Sequence, residues 1–123
     1  MKPLNDCSVL ILESDFGVGL ELMRALGEEG CRAVKLVRTV EGALQELSLA
    51  MPDAATLDLD THGKRSLPLT ETLAANDVPV VIVSCRTVGR QVNGRRPAVC
   101  QKPVAVAEVV SLLTSAIAQR KAA

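Results

Sequence analysis

Three short runs of apolar residues constrain the fold of this 123-residue chain most strongly. The clearest run is Val78-Pro79-Val80-Val81-Ile82-Val83, which is almost entirely β-branched, and residues 8–12 and 54–58 form two more. Runs this short, without alternating polar residues, are typical of parallel strands that other elements cover on both faces. Shorter strands are predicted at residues 31–37 and 97–100.

Helical patterns lie between the predicted strands, because apolar residues recur there every three or four positions. We predict that Gly30 ends the first helix, that Thr39 caps the second and that residues 69–75 form a short third. A last helix runs toward the C-terminus, where residues 119–123 are predicted to fray. In the first predicted helix the helically spaced positions are Phe16, Leu20, Met23 and Gly27, with Leu22 and Leu26 beside them. In the second they are Val40, Ala43, Leu44 and Leu47, and in the last they are Val106, Val109, Val110, Leu113 and Ile117.

Strands and helices therefore alternate along the chain, which predicts an α/β fold. We expect a three-layer, doubly wound parallel sheet of five strands with helices on both faces. The length predicts one domain, residues 1–123, with its core at about 7–118. Residues 85–96 contain two glycines and four arginines without an amphipathic period. We predict a loop there, so that the fourth helix of the alternation is short or missing.

Composition excludes several classes of protein. Fourteen basic and fourteen acidic residues cancel, and a single Phe without Trp or Tyr offers almost nothing for base stacking, so no nucleic-acid partner is expected. No apolar run reaches the roughly 18 residues of a membrane span, and no apolar signal core follows the N-terminus, so no membrane partner is expected either. Four cysteines without metal-ligand spacing favour free thiols and a cytoplasmic protein.

Polar side chains follow four of the five predicted strands. In an open parallel sheet the carboxyl ends of the strands meet at one edge, and sites form where the strand order reverses. Carboxylates can hold Mg²⁺, and a hydroxyl and an ammonium group can bind phosphate oxygens. The sequence therefore predicts a site for Mg²⁺ and a phosphoryl group. In chain order, its candidate residues are Glu13, Ser14, Asp15, Asp58, Asp60, Ser84 and Lys102.

Simpler interpretations compete for most of these residues. Asp58 at a strand end can cap a loop or a helix, and Glu13 and Asp15 are acids that a helix N-terminus favours. Asp60 can be a solvated loop acid, and Ser84 a satisfied buried hydroxyl.

Four motifs carry a resemblance to a known family. They are Leu10-Ile11-Leu12-Glu13-Ser14-Asp15, Pro52-Asp53-Ala54-Ala55-Thr56-Leu57-Asp58, Val80-Val81-Ile82-Val83-Ser84 and Gln101-Lys102-Pro103. In this order and at these strand ends they resemble bacterial response-regulator receiver domains over nearly the whole chain, which implies a flavodoxin-like sheet of order 2-1-3-4-5. The chain resembles the FAT-GUY subgroup at residues 63–66, at Val78-Pro79 where the fourth strand begins, and in the weak pattern of its fourth helix. Members of this subgroup are often stand-alone domains and work with HWE-type histidine kinases.

The resemblance implies a role for each site residue. Asp58 is the expected phosphoacceptor, Lys102 is expected to pair with the phosphoryl group, and Ser84 to bind one of its oxygens. The peptide bond before Pro103 is expected to be cis. The Mg²⁺ ligands are expected to be Glu13, Asp58 and the backbone carbonyl of Asp60.

Ser14 is the main departure from the family pattern, since receivers usually have there the second acid of an adjacent pair. A serine hydroxyl is neutral and is a weaker ligand for Mg²⁺. Asp15, one position on, is a weaker candidate because the matching acid in the family points elsewhere, whereas the side chain of Asp60 could compensate. Val99 and Val104 stand where receivers and the subgroup usually have aromatic residues, so an aromatic switch is excluded.

Two functions compete on this basis. The first is a stand-alone receiver that accepts a phosphoryl group on Asp58 from a histidine kinase or phosphotransfer protein, with output by contact with another protein; such a domain phosphorylates itself and is not a turnover enzyme. The second is a pseudo-receiver, a phosphorylation-independent interaction or dimerisation module, which Ser14 and the missing aromatics favour. An unrelated flavodoxin-like ligand-binding module ranks third.

Overall fold

Five parallel strands and four helices make up the described part of the chain, which in this computed structural model comprises residues 2–58, 67–84 and 98–122. The elements are β1 (Ser8–Leu12), α1 (Phe16–Glu28), β2 (Ala33–Val37), α2 (Val40–Leu49), β3 (Ala54–Asp58), α3 (Leu67–Ala75), β4 (Val80–Ser84), β5 (Ala98–Gln101) and α4 (Val106–Ala122). The strand order is β2-β1-β3-β4-β5, so the predicted sheet is confirmed. The loop predicted at 85–96 lies outside the described residues.

Different helices cover the two faces of the sheet. On one face, α1 and α4 pack over a cluster that includes Ile11, Val81 and Leu113, and the core there also takes in Leu4, before the first strand. On the other face, α2 and α3 pack over a cluster that includes Leu57. Strands β1, β3 and β4 are buried almost throughout, whereas the edge strand β2 is only half-buried. The continuous apolar runs of the sequence are thus the strands with protein on both sides.

The face of helix α1 that packs against the sheet is not the apolar stripe that begins at Phe16. Leu22 is fully buried, whereas Phe16 is 53% exposed and Leu20 is 46% exposed. Two apolar stripes lie side by side on this helix, and the contact with β2 selects between them. Gly19 lies so close to Leu36 that a Cβ at Gly19 would be 2.7 Å from Leu36 Cδ1. With Gly19 against β2, Phe16 faces outward.

Helix α4 continues to Ala122, so residues 119–122, which are predicted to fray, are helical in the structure. A guanidinium nitrogen of Arg120 donates a hydrogen bond to the carbonyl of Asp53 at 3.0 Å. Ile117, one turn earlier, is 1% exposed. These contacts attach the last turns of the helix to the N-terminal edge of the sheet. A helix end without such tertiary contacts would be poorly ordered.

Thr39 caps α2, as predicted, because its Oγ1 accepts a hydrogen bond from the backbone N–H of Gly42 at 3.0 Å. We expect Thr39→Ala to lower the free energy of unfolding by about 1 kcal/mol, since that N–H loses its side-chain partner. Urea unfolding measures the loss, and Thr39→Ser, which keeps the hydroxyl, is the matched control. Equal losses in the two variants would mean that the methyl group, and not the cap, stabilises the helix.

Three cysteines lie in the described part of the chain, and all of them are free thiols. Cys7 and Cys100 are buried, and Cys31 is half-buried. Burial raises the pKa of the Cys31 thiol to about 11 and also raises the pKa of Cys100. These two thiols therefore stay protonated at neutral pH and pack as small apolar side chains. Within the same residues, no helix is long and apolar enough to cross a membrane.

Candidate functional site

The carboxyl ends of β1, β3, β4 and β5 meet at one edge of the sheet. Leu12 pairs with Leu57, one residue before Asp58, so the loop after β1 reaches the end of β3. Ser84 ends β4, and the backbone N–H of Lys102 donates to its carbonyl at 3.0 Å. The strand order reverses between β1 and β3, which is where open parallel sheets form their sites.

Asp58 is the centre of this edge, with only 1% of its surface exposed. Its Oδ1 accepts a hydrogen bond from the Lys102 ammonium group, with Nζ at 3.0 Å, and the two side chains form an ion pair. Its Oδ2 accepts a hydrogen bond from the Ser14 hydroxyl at 3.2 Å. An unpaired buried carboxylate would be strongly unfavourable, so the ammonium and hydroxyl donors are what allow Asp58 to lie here.

Glu13 is a second buried carboxyl group beside Asp58. Burial raises the pKa of Glu13 from an ordinary 4.5 to about 7, and a hydrogen bond with Asp58 acts in the same direction. The backbone N–H of Asp15, which donates to Glu13 Oε2 at 3.1 Å, and the charge of Lys102 lower the same pKa and so offset part of the increase. Glu13 and Asp58 therefore bring two carboxyl groups together beside Lys102, and a bound cation would favour the ionised form of both.

The other predicted residues divide between the pocket and its surroundings. Ser84 is buried at the end of β4, next to the strand that carries Asp58. Asp15 is engaged elsewhere, because its Oδ1 accepts from the backbone N–H of Val18 at 3.2 Å and caps α1. The Lys102-Pro103 peptide bond is cis, as the resemblance implied. Asp60 lies outside the described residues.

Arg38 is a neighbour of the pocket that the sequence interpretation missed. It follows β2, and one of its Nη atoms donates to the backbone carbonyl of Ser14 at 3.2 Å. Its guanidinium carbon lies 6.0 Å from the centroid of the Phe16 ring. The available signal was its position, directly after a predicted strand and therefore at the same edge of the sheet as the candidate acids.

The donor set is compatible with Mg²⁺. This ion keeps several waters and needs only one or two carboxylates, which Glu13 and Asp58 can provide. A bound cation would lower the pKa of Glu13, which burial raises. Among residues 2–58, 67–84 and 98–122, however, no group of three or more His, Cys, Asp or Glu residues is placed to hold a metal ion. The neutral Ser14 hydroxyl lies beside Glu13 and Asp58, where a carboxylate would add a third negative charge to the pocket.

Solved receiver domains share this architecture at low sequence identity. The response regulator receiver protein from Burkholderia phymatum matches at 22% identity with a TM-score of 0.71, over 91% of this chain and 95% of its own. The receiver domain of a signal transduction histidine kinase from Syntrophus aciditrophicus matches at 19% identity with a TM-score of 0.74, over 92% and 91% of the two chains. No protein-family model matches the chain, and no curated protein sequence does.

A solved structure with a more similar sequence is that of SdrG from Pseudomonas melonis Fr1 in its BeF₃-activated conformation. It is 30% identical, with a TM-score of 0.68, and the match covers 89% of this chain and 98% of SdrG. The chain belongs to the response-regulator receiver family. At the carboxyl edge of its sheet lie a buried aspartate at the end of β3, a lysine after β5 and a serine hydroxyl at the end of β4.

Proposed function

We propose that this receiver is a phosphoacceptor, which takes a phosphoryl group on Asp58 from a phosphohistidine of a histidine kinase or phosphotransfer protein. The observation that carries the proposal is the pairing of buried Asp58 with Lys102, at 3.0 Å, on the edge where four strands end. The 30% identity with SdrG adds support, because SdrG is activated by BeF₃, a complex with the shape of a phosphoryl group.

The proposed reaction makes one bond and breaks another. A carboxylate oxygen of Asp58 attacks phosphorus, the phosphorus–nitrogen bond of the phosphohistidine breaks, and the imidazole leaves with the electron pair and takes up a proton. The product is an aspartyl phosphate, a mixed anhydride. The reaction needs no oxidant and no further co-reactant, and its rate depends on positioning and on charge neutralisation.

The side chains around Asp58 supply this neutralisation. Lys102 already binds one oxygen of the carboxylate, so its ammonium group is in position for the charge of the phosphoryl oxygens. The Ser84 hydroxyl is assigned to a phosphoryl oxygen because it is buried at the end of the adjacent strand. Glu13 and Asp58 would hold Mg²⁺, and that ion supplies charge that offsets the phosphoryl group.

The intact mass of the protein tests the proposal after incubation with acetyl phosphate and Mg²⁺. We expect the natural chain to gain one phosphoryl group and Asp58→Asn to gain none. The matched control is Asp77→Asn, the same chemical change at an exposed turn where φ is +56°, a conformation that Asn tolerates. Modification that persists in Asp58→Asn would assign the acceptor to another residue, and no modification of the natural chain would contradict the acceptor function for small donors.

A pseudo-receiver is the second candidate, and one contact favours it. The Ser14 hydroxyl donates to Asp58 Oδ2 while Lys102 binds Oδ1, so both oxygens of the carboxylate have partners without a metal ion. In that function the pocket is a stable structural element, and binding to a partner protein does not depend on phosphorylation. The same mass experiment separates the two candidates, since only the acceptor is modified.

We also propose a more specific place within the family. The Val78-Pro79 entry to β4 and the motif at residues 63–66 support membership of the FAT-GUY subgroup, and thereby an HWE-type kinase as the phosphoryl donor. A cytoplasmic location is proposed as well, because the three described cysteines are free thiols. Phosphotransfer from a panel of purified kinases tests the first proposal, with a faster transfer from HWE-type members as the expected result.

A further inference from the structure

We propose that Arg38 is a positioning residue of the phosphoacceptor site, which holds the Ser14 peptide and thereby the hydroxyl and carboxyl groups around Asp58. The inference rests on the proposed phosphoacceptor function. It adds a residue outside the pocket, on the loop between β2 and α2, to those that determine its geometry. Arg38 is exposed, and among the described residues its side chain contacts the backbone of Ser14 and the ring of Phe16.

Two hydrogen bonds join the loop after β1 to the last residue of β2 and to the loop that follows β2. The backbone N–H of Glu13 donates to the carbonyl of Val37 at 3.0 Å, which extends the pairing of β1 and β2 beyond the last strand residue. The guanidinium group of Arg38 then donates to the carbonyl of Ser14 at 3.2 Å. The first bond fixes the peptide before Glu13, and the second fixes the peptide after Ser14. The Arg38 hydrogen bond is therefore the second of two that hold the backbone of Glu13 and Ser14, the residues that face Asp58.

The loop after β1, whose Ser14 carbonyl accepts the Arg38 hydrogen bond, carries two of the pocket's functional groups. Ser14 Oγ donates to Asp58 Oδ2, and the Glu13 carboxyl group shares a hydrogen bond with Asp58. Asp15 follows directly and caps α1, so the end of the loop is fixed by the helix. Between the last pair of β1 and this cap, the Ser14 carbonyl is held by a side chain from another loop. A shift of this peptide moves the hydroxyl and the carboxyl group together relative to Asp58.

An arginine suits this contact better than a lysine. The planar guanidinium group donates to the Ser14 carbonyl while its carbon lies over the Phe16 ring, 6.0 Å from the ring centroid. An ammonium group is more compact and more strongly hydrated, so Arg38→Lys is expected to keep the hydrogen bond to the Ser14 carbonyl and to weaken the contact with the Phe16 ring. Arg38 itself is anchored by its neighbours, because Val37 pairs with β1 and Thr39 caps α2.

Arg38 could affect phosphorylation in another way, by attracting an anionic donor toward the pocket. The two roles differ in their kinetics. Attraction of the donor changes the donor concentration at half-maximal rate, whereas positioning changes the maximal rate constant at saturating donor and Mg²⁺. The comparison therefore uses Arg38→Met, Arg38→Lys and, as a matched loss of one exposed arginine on α1, Arg24→Met.

We expect Arg38→Met to lower the maximal rate of phosphorylation by acetyl phosphate about three- to tenfold, and Arg24→Met to leave it unchanged. Arg38→Lys is expected to recover part of the loss. A loss confined to the half-saturating donor concentration would overturn the positioning role in favour of donor attraction. An unchanged rate in Arg38→Met would overturn it as well.

Amide hydrogen exchange provides a readout that does not need phosphorylation. In Arg38→Met the amides of Glu13 and Asp15 are expected to exchange several-fold faster, while those of β3 are unchanged, because only the loop after β1 opens more often. If the natural chain takes up no phosphoryl group, the proposed function fails, and this exchange comparison alone decides the role of Arg38. Unchanged exchange at Glu13 and Asp15 would then show that Arg38 does not hold the loop.

Discussion

Replacing Ser14 with aspartate is expected to tighten Mg²⁺ binding about tenfold or more, because the affinity of an oxygen site for a hard cation rises with the number of ligand charges. In the natural chain, Ser14 is a hydrogen-bond donor to Asp58 and adds no charge. The substituted carboxylate would face the same oxygen of Asp58 and would repel it in the absence of the ion. We therefore also expect Ser14→Asp to be less stable than the natural chain without Mg²⁺, and to be stabilised more strongly when Mg²⁺ is added.

Calorimetric titration with Mg²⁺ measures the change in affinity, and urea unfolding followed by circular dichroism measures the change in stability. Ser14→Asn is the matched control, since asparagine has the size of aspartate without its charge, and it is expected not to tighten binding. Equal Mg²⁺ affinities in the natural chain and in Ser14→Asp would mean that other groups already complete the site. The pocket would then not be weakened by the serine, and the case for a pseudo-receiver would lose its main support.

Replacing Glu13 with glutamine is expected to raise the free energy of unfolding by about 3 kcal/mol at pH 8 without Mg²⁺. The pKa of Glu13 is about 7 in the folded chain against 4.5 for an ordinary glutamate, chiefly because the group is buried. Between these values the folded chain binds more protons than the unfolded chain, so the stability of the natural protein falls as the pH rises from about 4.5 to about 7. Glutamine has no such titration and can donate its amide N–H to Asp58.

The expected difference between Glu13→Gln and the natural chain therefore depends on pH. It is largest above pH 7 and vanishes below about pH 4.5, where Glu13 is protonated in both states. Urea unfolding across this range, in buffers that contain a chelator, measures it, and Glu21→Gln on the exposed side of α1 is the control for loss of a carboxylate. A difference that is constant with pH, or a natural chain that is more stable than the variant at pH 8, would contradict the raised pKa.

These two variants change the negative charge beside Asp58 in opposite directions. Glu13→Gln removes negative charge from beside Asp58, and Ser14→Asp adds it. Lys102 pairs with Asp58, and its charge lowers the pKa of Glu13 by less than burial raises it. Mg²⁺ should therefore stabilise the natural chain and Ser14→Asp, but should do little for Glu13→Gln.

Much of the fold and of the candidate site could be predicted from the sequence. The predicted strands at 8–12 and 54–58 coincide with β1 and β3, because continuous apolar runs with polar ends are a local property of the chain. The cap at Thr39 is equally local. Parallel strands bring their carboxyl ends to one edge, so the meeting of Asp58 with Lys102 also followed from the order of the elements.

Only the tertiary structure decided how these elements face one another. Periodicity gave α1 two adjacent apolar stripes, and the close approach of Gly19 to β2 selected the one that packs and left Phe16 exposed. The contact of Arg38 with Ser14 joins two loops, and the pKa of Glu13 sums its burial with the charges of Asp58 and Lys102. Each depends on distances between segments far apart in the sequence, which are fixed only when the strands pair and the helices dock. Local patterns therefore determined which elements form, whereas packing decided the charge balance and the positioning of the pocket.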